Sequence, residues 1–188
     1  MNILLQININ QDIELHQIQS KDAQDIFHTI DTQREYLGQW LPFVAYTKEL
    51  KNTQDYVDSL VNASSEAFEY VFAIRYQNNF AGMIGFVNSN HPHKKTEIGY
   101  WLSELYQHRG IMTAAVRALC KFAFEDLHLN RIQIKCAIGN TASSNIPKRL
   151  GFVFEGIERQ GEKFPDGSFK DLEIYSLIQG QFRSINQP

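Results

Sequence analysis

The apolar residues of this chain follow two rhythms that meet at one junction. Ile111, Ala115, Leu119, Ala123 and Leu127 recur every fourth residue, which predicts a helix over 111–128 with one apolar face. Ahead of it, Glu97-Ile98-Gly99-Tyr100-Trp101-Leu102 is an aromatic and aliphatic run that reads as a strand, bounded upstream by the polar His91-Pro92-His93-Lys94-Lys95. Behind it the period drops to two. Ile132, Ile134, Cys136 and Ile138 share one face of a strand over 131–138, and Arg131, Gln133, Lys135 and Ala137 share the other. Strand, helix and strand make a βαβ unit, which should cross over right-handed with its two strands parallel.

The flanking chain supplies further elements. Residues 3–19 read as one or two extended segments, with Ile13, Leu15 and Ile18 facing inward. Ser20-Lys21-Asp22-Ala23 opens a helix with Ser20 as N-cap and Ile26, Phe27 and Ile30 on its apolar side. Gly38 and Pro42 interrupt the aromatic stretch 34–43, and a second helix follows over 53–64, capped by Asn52 or Thr53. Segments 70–76 and 80–87 alternate as a hairpin across Gln77-Asn78-Asn79. Beyond the βαβ unit a short helix ends at Gly151; since proline is easily placed only in a first turn, Pro147 puts its start near Ser143 or Ser144. Segments 152–159 and 171–178 pair across Pro165-Asp166-Gly167. The total is about seven strands in a mixed central sheet with about four helices, an α+β chain of three-layer, α/β/α-like build.

Composition narrows the function classes. A chain of 188 residues that is 43% hydrophobic can bury one sizeable core, and no Pro/Gly/Ser-rich linker divides it, so 1–188 is expected to be a single domain. The net charge of −3 gives no basic field for nucleic acid. Neither a signal peptide nor an apolar run long enough for a membrane span is present, and Cys120 and Cys136 read as small buried hydrophobes, which fits a cytoplasmic protein. His16, His28, His91, His93, His108 and His128 have no metal-like spacing, so no metal is expected.

The candidate chemistry sits at the strand-to-helix junction, Gln107-His108-Arg109-Gly110. A glycine turn opening a helix leaves backbone N–H groups without intrahelical partners at the positive end of the dipole, a site for phosphate or pyrophosphate. G-x-x-x-x-G-K-[ST] and G-x-G-x-x-G are both absent, which excludes the two ordinary phosphate loops. What remains, Gln107-x-x-Gly110-x-Met112, resembles the coenzyme A motif Q/R-x-x-G-x-G/A of the GNAT N-acetyltransferases, with Met112 where that family usually has Gly or Ala. The string from Glu97 to Trp101, the variant from Gly110 to Thr113 and the run Arg34-x-x-Leu37-x-x-Trp40-Leu41-Pro42 are similar to the branch of ribosomal-protein N-terminal acetyltransferases. Asn140-x-x-Ser143 followed by Leu150-Gly151-Phe152 matches a second family motif, and the resemblance extends from about Ile13 to Ile178.

The resemblance implies a GNAT fold with a V-shaped splay between its fourth and fifth strands, and acetyl-CoA as co-substrate. The backbone of Trp101, Leu102 and Ser103 would pair with pantetheine, Gln107 would belong to the coenzyme-binding set, and His108, Arg109, Gly110, Ile111, Met112 and Thr113 would hold the pyrophosphate through their N–H groups. Trp101 and Met112 read equally well as core packing. Asn140 would bond pantetheine or merely cap a helix, and Ser143 would protonate the leaving thiolate or do no more than cap. Glu97 is the candidate base, the other reading being an edge charge. Trp40, Phe43, Tyr46 and Phe164 would line the acceptor, either a protein N-terminus or a small amine such as a polyamine or an aminoglycoside; a non-catalytic acetyl-CoA sensor is the reading from another class. Neither a nucleic-acid nor a membrane partner is implied, and a homodimer stays open.

Overall fold

The computed structural model describes residues 4–63 and 70–185. They form two compact units, residues 1–85 with 100–115 and residues 86–99 with 116–188. The chain passes between them inside elements rather than through a linker.

The first unit begins with β1 (Gln6–Asn8) and β2 (Ile13–Gln17), so the extended N-terminal segment is two strands. Ser20 does not cap the next helix. Ser20–Asp22 is a 3-10 turn in which the Asp22 carboxylate accepts the Gln19 N–H at 2.9 Å, and α1 follows over Ala23–Thr32. The aromatic stretch contains the short α2 (Arg34–Gly38) and a 3-10 turn, Pro42–Ala45. Helix α3 (Leu50–Val61) starts earlier than its apolar pattern indicates, because Glu49 and Asn52 form a reciprocal capping box. Ser64, its expected end, lies outside the described residues. Strands β3 (Val71–Tyr76) and β4 (Asn79–Asn90) turn through Gln77 and Asn78, both at positive φ, as a two-residue primed hairpin requires. Strand order here is β1-β2-β3-β4, all antiparallel. Ile18, Ile26, Ile30, Leu37, Val57 and Ala73 belong to the buried core beside these strands.

In the second unit the order is β5-β6-β8-β7. Strand β5 (Lys95–Leu102) pairs parallel with β6 (Arg131–Ala137), setting Lys95 beside Arg131, Thr96 beside Ile132 and Glu97 beside Gln133. This is the expected βαβ unit. Its helix α4 (Ile111–Lys121) is shorter than its apolar row: a π-helical turn, Phe122–Asp126, shifts the phase so that Phe124 and Leu129 are buried while Leu127 is not. Ile138 falls beyond the strand end and is exposed, while Ala137 is buried. Helix α5 (Thr141–Arg149) starts before Ser143 and contains Pro147 in its interior. The cap at Asn140 fixes that start, and proline removes only the one N–H that would bond the carbonyl four residues back. Strands β7 (Val153–Lys163) and β8 (Phe169–Ile178) form the expected hairpin. A final helix, α6 (Gln179–Ile185), has no sequence signal of its own; Phe182 holds it in place, buried with its ring 5.1 Å from that of Phe124. The described residues thus hold eight strands and six α-helices.

Candidate active site

Side chains far away in sequence hold the turn after β5 in place. Where β5 ends, the buried Ser103 donates its N–H to the Ala81 carbonyl at 2.8 Å, and its hydroxyl accepts from the Gln33 amide at 2.9 Å. The other end of that amide accepts the Glu104 N–H at 2.9 Å. Close approach of β4 and β5 needs Gly82, since a Cβ there would lie 2.3 Å from the Trp101 carbonyl oxygen. After a 3-10 turn, Glu104–Tyr106, the Gln107 carboxamide donates to the Tyr36 hydroxyl, whose pKa burial pushes up. The motif glutamine therefore uses its side chain to tie the turn to α2, while its backbone N–H closes the 3-10 turn on the Glu104 carbonyl at 3.2 Å.

The backbone then takes left-handed φ at His108 (60°) and at Gly110 (74°). The first strain costs about 1 kcal/mol in a non-glycine residue; the second is nearly free in glycine. Helix α4 opens with the Ala114 N–H bonded to the Gly110 carbonyl, so the N–H groups of Ile111, Met112 and Thr113 lack intrahelical partners. A Cβ built on Gly110 meets nothing within 4 Å, so the turn beside those donors is open at the glycine. The Ile111 and Met112 side chains are buried, as core residues are, and only their backbones can serve a ligand. Trp101 packs on the core, edge-on to Phe80 at 5.7 Å. Arg109 is exposed, its guanidinium 5.5 Å from the Tyr76 ring and 6.0 Å from that of Tyr106.

The same unit explains the Arg34–Pro42 signature. Arg34 donates to the carbonyls of Val44 (3.1 Å) and Thr47 (2.7 Å) and pairs with Asp31, Leu37 is buried, and Pro42 begins the 3-10 turn. That scaffold leaves Phe43 and Tyr46 exposed and Trp40 half-buried.

In the second unit Glu97 is mostly buried in a polar surround. Asn88 and Gln133 hydrogen-bond its carboxylate, and the Lys135 ammonium stands 3.9 Å away. Burial pushes its pKa up, and the lysine and the hydrogen bonds only partly offset that. Lys135 itself sits closer to Glu158, at 2.8 Å. Asn140 caps α5: its Oδ1 accepts the Ser143 N–H at 3.1 Å. The Ser143 hydroxyl lies 3.3 Å from the thiol of Cys136. Phe164 is buried, with the Lys170 ammonium 4.1 Å from its ring centre, so a ligand on that side would meet Lys170 first. Among the described residues no group of three or more His, Cys, Asp or Glu could hold a metal, and no helix is long and apolar enough to cross a membrane.

The first unit thus gathers Trp101 to Thr113 with Trp40, Phe43 and Tyr46; the second holds Glu97, Asn140, Ser143 and Phe164. Gln33, Gly82, Asn88, Gln133, Lys135 and Glu158 carry no sequence signal, since their roles exist only through partners far along the chain.

Residues 12–153 match the acetyltransferase (GNAT) domain family. YdaF of Bacillus subtilis (strain 168) is 32% identical over 178 residues, 93% of this chain and 95% of that one. The ribosomal-protein-serine acetyltransferase of Escherichia coli (strain K12) is 28% identical over 92% of this chain and 96% of its own. Among solved structures, RimL, the ribosomal L7/L12 alpha-N-protein acetyltransferase in complex with coenzyme A, superposes with a TM-score of 0.89 at 25% identity, covering 94% of this chain and 99% of that one.

Proposed function

This chain belongs to the GNAT acetyltransferase family, and we propose that it moves the acetyl group of acetyl-CoA to the N-terminal amine of a protein, foremost a ribosomal one. One observation carries the coenzyme half of the reading: Gly110, at positive φ and with open space where a Cβ would stand, directly precedes the three N–H groups of Ile111 to Thr113 that lack intrahelical partners. These donors suit a pyrophosphate. The Trp101 to Ser103 backbone takes the pantetheine arm, and an N–H there polarises the thioester carbonyl.

In the reaction the amine nitrogen attacks the thioester carbon and the carbon–sulfur bond breaks. Glu97 accepts the proton lost by nitrogen, directly or through water. The sulfur leaves as a thiolate and takes a proton from Ser143 or from solvent; with a pKa of about 8.5 it needs little help. A raised carboxyl pKa suits Glu97 for this work, since it makes the anion a stronger base. An α-amine of pKa ~7.8 is about one-seventh neutral at pH 7, while a lysine amine of ~10.4 is neutral about once in 2,500. A modest carboxylate therefore suffices for the first and not for the second. Residues 1–188 act as one catalytic domain in this reading.

The test is acetyl transfer followed by mass spectrometry, with peptides starting in serine or alanine, spermidine and an aminoglycoside as acceptors. Peptide acetylation well above the other two is expected, with binding of acetyl-CoA unchanged after dialysis against a chelator. Preference for spermidine would shift the acceptor to polyamines; binding without turnover of any acceptor would leave only a sensor.

A further inference from the structure

The buried face around Glu97 contains more than a base. Lys135 projects from β6 on the side shared by Arg131 and Gln133, and its ammonium lies between two carboxylates at unequal distances, 2.8 Å from Glu158 and 3.9 Å from Glu97. Glu158 comes from β7, and Lys135 and Glu158 lie opposite residues two apart on the intervening β8, Ile174 and Leu172. The shorter pairing commits the lysine to Glu158 and leaves Glu97 as a looser ion pair, beyond hydrogen-bond distance. Both neighbouring arrangements would disable a base. A contact pair would tie up the lone pairs that must take the amine proton, and with no cation nearby a carboxylate this buried would hold its proton through the acid range.

We propose that Lys135, anchored by Glu158, is the positioning residue of the proton-accepting step, holding Glu97 anionic without a hydrogen-bonded cation on it. This rests on Glu97 being the base. The groups facing Glu97 are Asn88 from β4, Gln133 and Lys135 from β6, and Glu158 from β7; Glu162, also on β7, acts on Lys135. Asn88 and Gln133 are neutral donors, so the balance of charge at Glu97 lies with Lys135 and the glutamates beyond it. Burial also pushes up the Glu162 carboxyl, which Lys135 opposes, so one ammonium serves three acids.

The prediction is a pair of opposite shifts. Catalysis requires Glu97 ionised, so kcat rises with pH through its pKa in the complex and gives an acid limb. Lys135→Met removes the nearby cation and should move that limb up by about one pH unit. Glu158→Gln frees the lysine to close on Glu97, and should move the limb down by a similar amount. Lys135→Arg keeps the charge and should return the limb to its wild-type place. The measurement is kcat against pH, at saturating acetyl-CoA and a peptide with N-terminal serine, for these variants and Glu97→Gln. Opposite displacements support the inference, because a purely structural loss lowers rates without moving limbs in opposite directions. If Glu97→Gln removes the limb while Lys135→Met and Glu158→Gln both leave it unmoved, Glu97 stands as the base and the role of Lys135 is overturned. If Glu97→Gln retains the wild-type limb, the base assignment fails and this inference with it. Should Lys135→Met not fold, the half-exposed Glu158→Gln decides: a downward shift supports the proposal, an unmoved limb overturns it.

Discussion

Gly110 combines a left-handed φ of 74° with empty space where a Cβ would stand. The two facts act differently on a substitution. In the folded chain a Cβ there touches nothing, so the cost of a side chain is chiefly backbone strain of about 1–2 kcal/mol. A ligand approaching the N–H groups of α4 would meet the side chain itself. Gly110→Val should therefore weaken acetyl-CoA binding at least tenfold in calorimetry while the thermal transition falls only a few degrees. Wild-type affinity in that variant would make the glycine a turn-former alone. A second residue, Glu155, shows the opposite balance of charge. Hydrogen bonds from Arg131 and Ser176 hold its carboxyl down at about 2. A lowered folded pKa stabilises the protein above the unfolded value near 4.5, and the gain disappears as pH falls through about 2. Because Glu155 is largely exposed, the gain is well below what a buried pair would give. Glu155→Gln should lower the melting temperature modestly at pH 7 and converge with wild type near pH 2; an equal deficit at both would locate its effect in packing.

At the scale of elements, α5 separates two roles that one motif leaves merged. Asn140 and Ser143 read from sequence as equally able to cap, but the cap is the Asn140 carboxamide, and Ser143 contributes only its backbone N–H. Asn140→Ala should thus cost about 1 kcal/mol of stability, and Ser143→Ala should cost little. Any loss of kcat in Ser143→Ala then reports on its hydroxyl, and should grow toward high pH, where solvent acids that could protonate the thiolate become scarce. Denaturant melts and kcat–pH profiles of both variants check this; a stability loss confined to Ser143→Ala would reverse the assignment. Helix α4 teaches a similar lesson. Its apolar row is regular enough to be read from sequence, yet the π turn at Phe122–Asp126 re-phases its end, because burying Phe124 and Leu129 outweighs one regular turn of backbone.

For the whole molecule, the order of elements, the βαβ unit, the glycine turn and the family were legible in the sequence. Each rests on periodicity or on residues close together in the chain: the two-residue rhythm of 131–137, the turn at Pro165-Asp166-Gly167, the spacing Gln107-x-x-Gly110. Tertiary structure alone decided what those residues touch. Gln107 faces Tyr36, Gln33 clasps Ser103 and Glu104, and Lys135 is divided between Glu97 and Glu158; these partners lie 23 to 71 residues apart. No local pattern encodes such pairs, because a hydrogen bond or an ion pair depends on distance in space, and here the strand order β5-β6-β8-β7 sets that distance for the lysine. The helix starts and the extent of α5 are not legible in the sequence for a related reason: capping by Glu49 and Asn140 is a choice among several competent neighbours, and packing makes it. The sequence by itself thus determined which elements form and that a glycine turn opens α4. The tertiary structure determined how basic Glu97 is, since burial and the field of a lysine held by another strand exist only once the chain has folded.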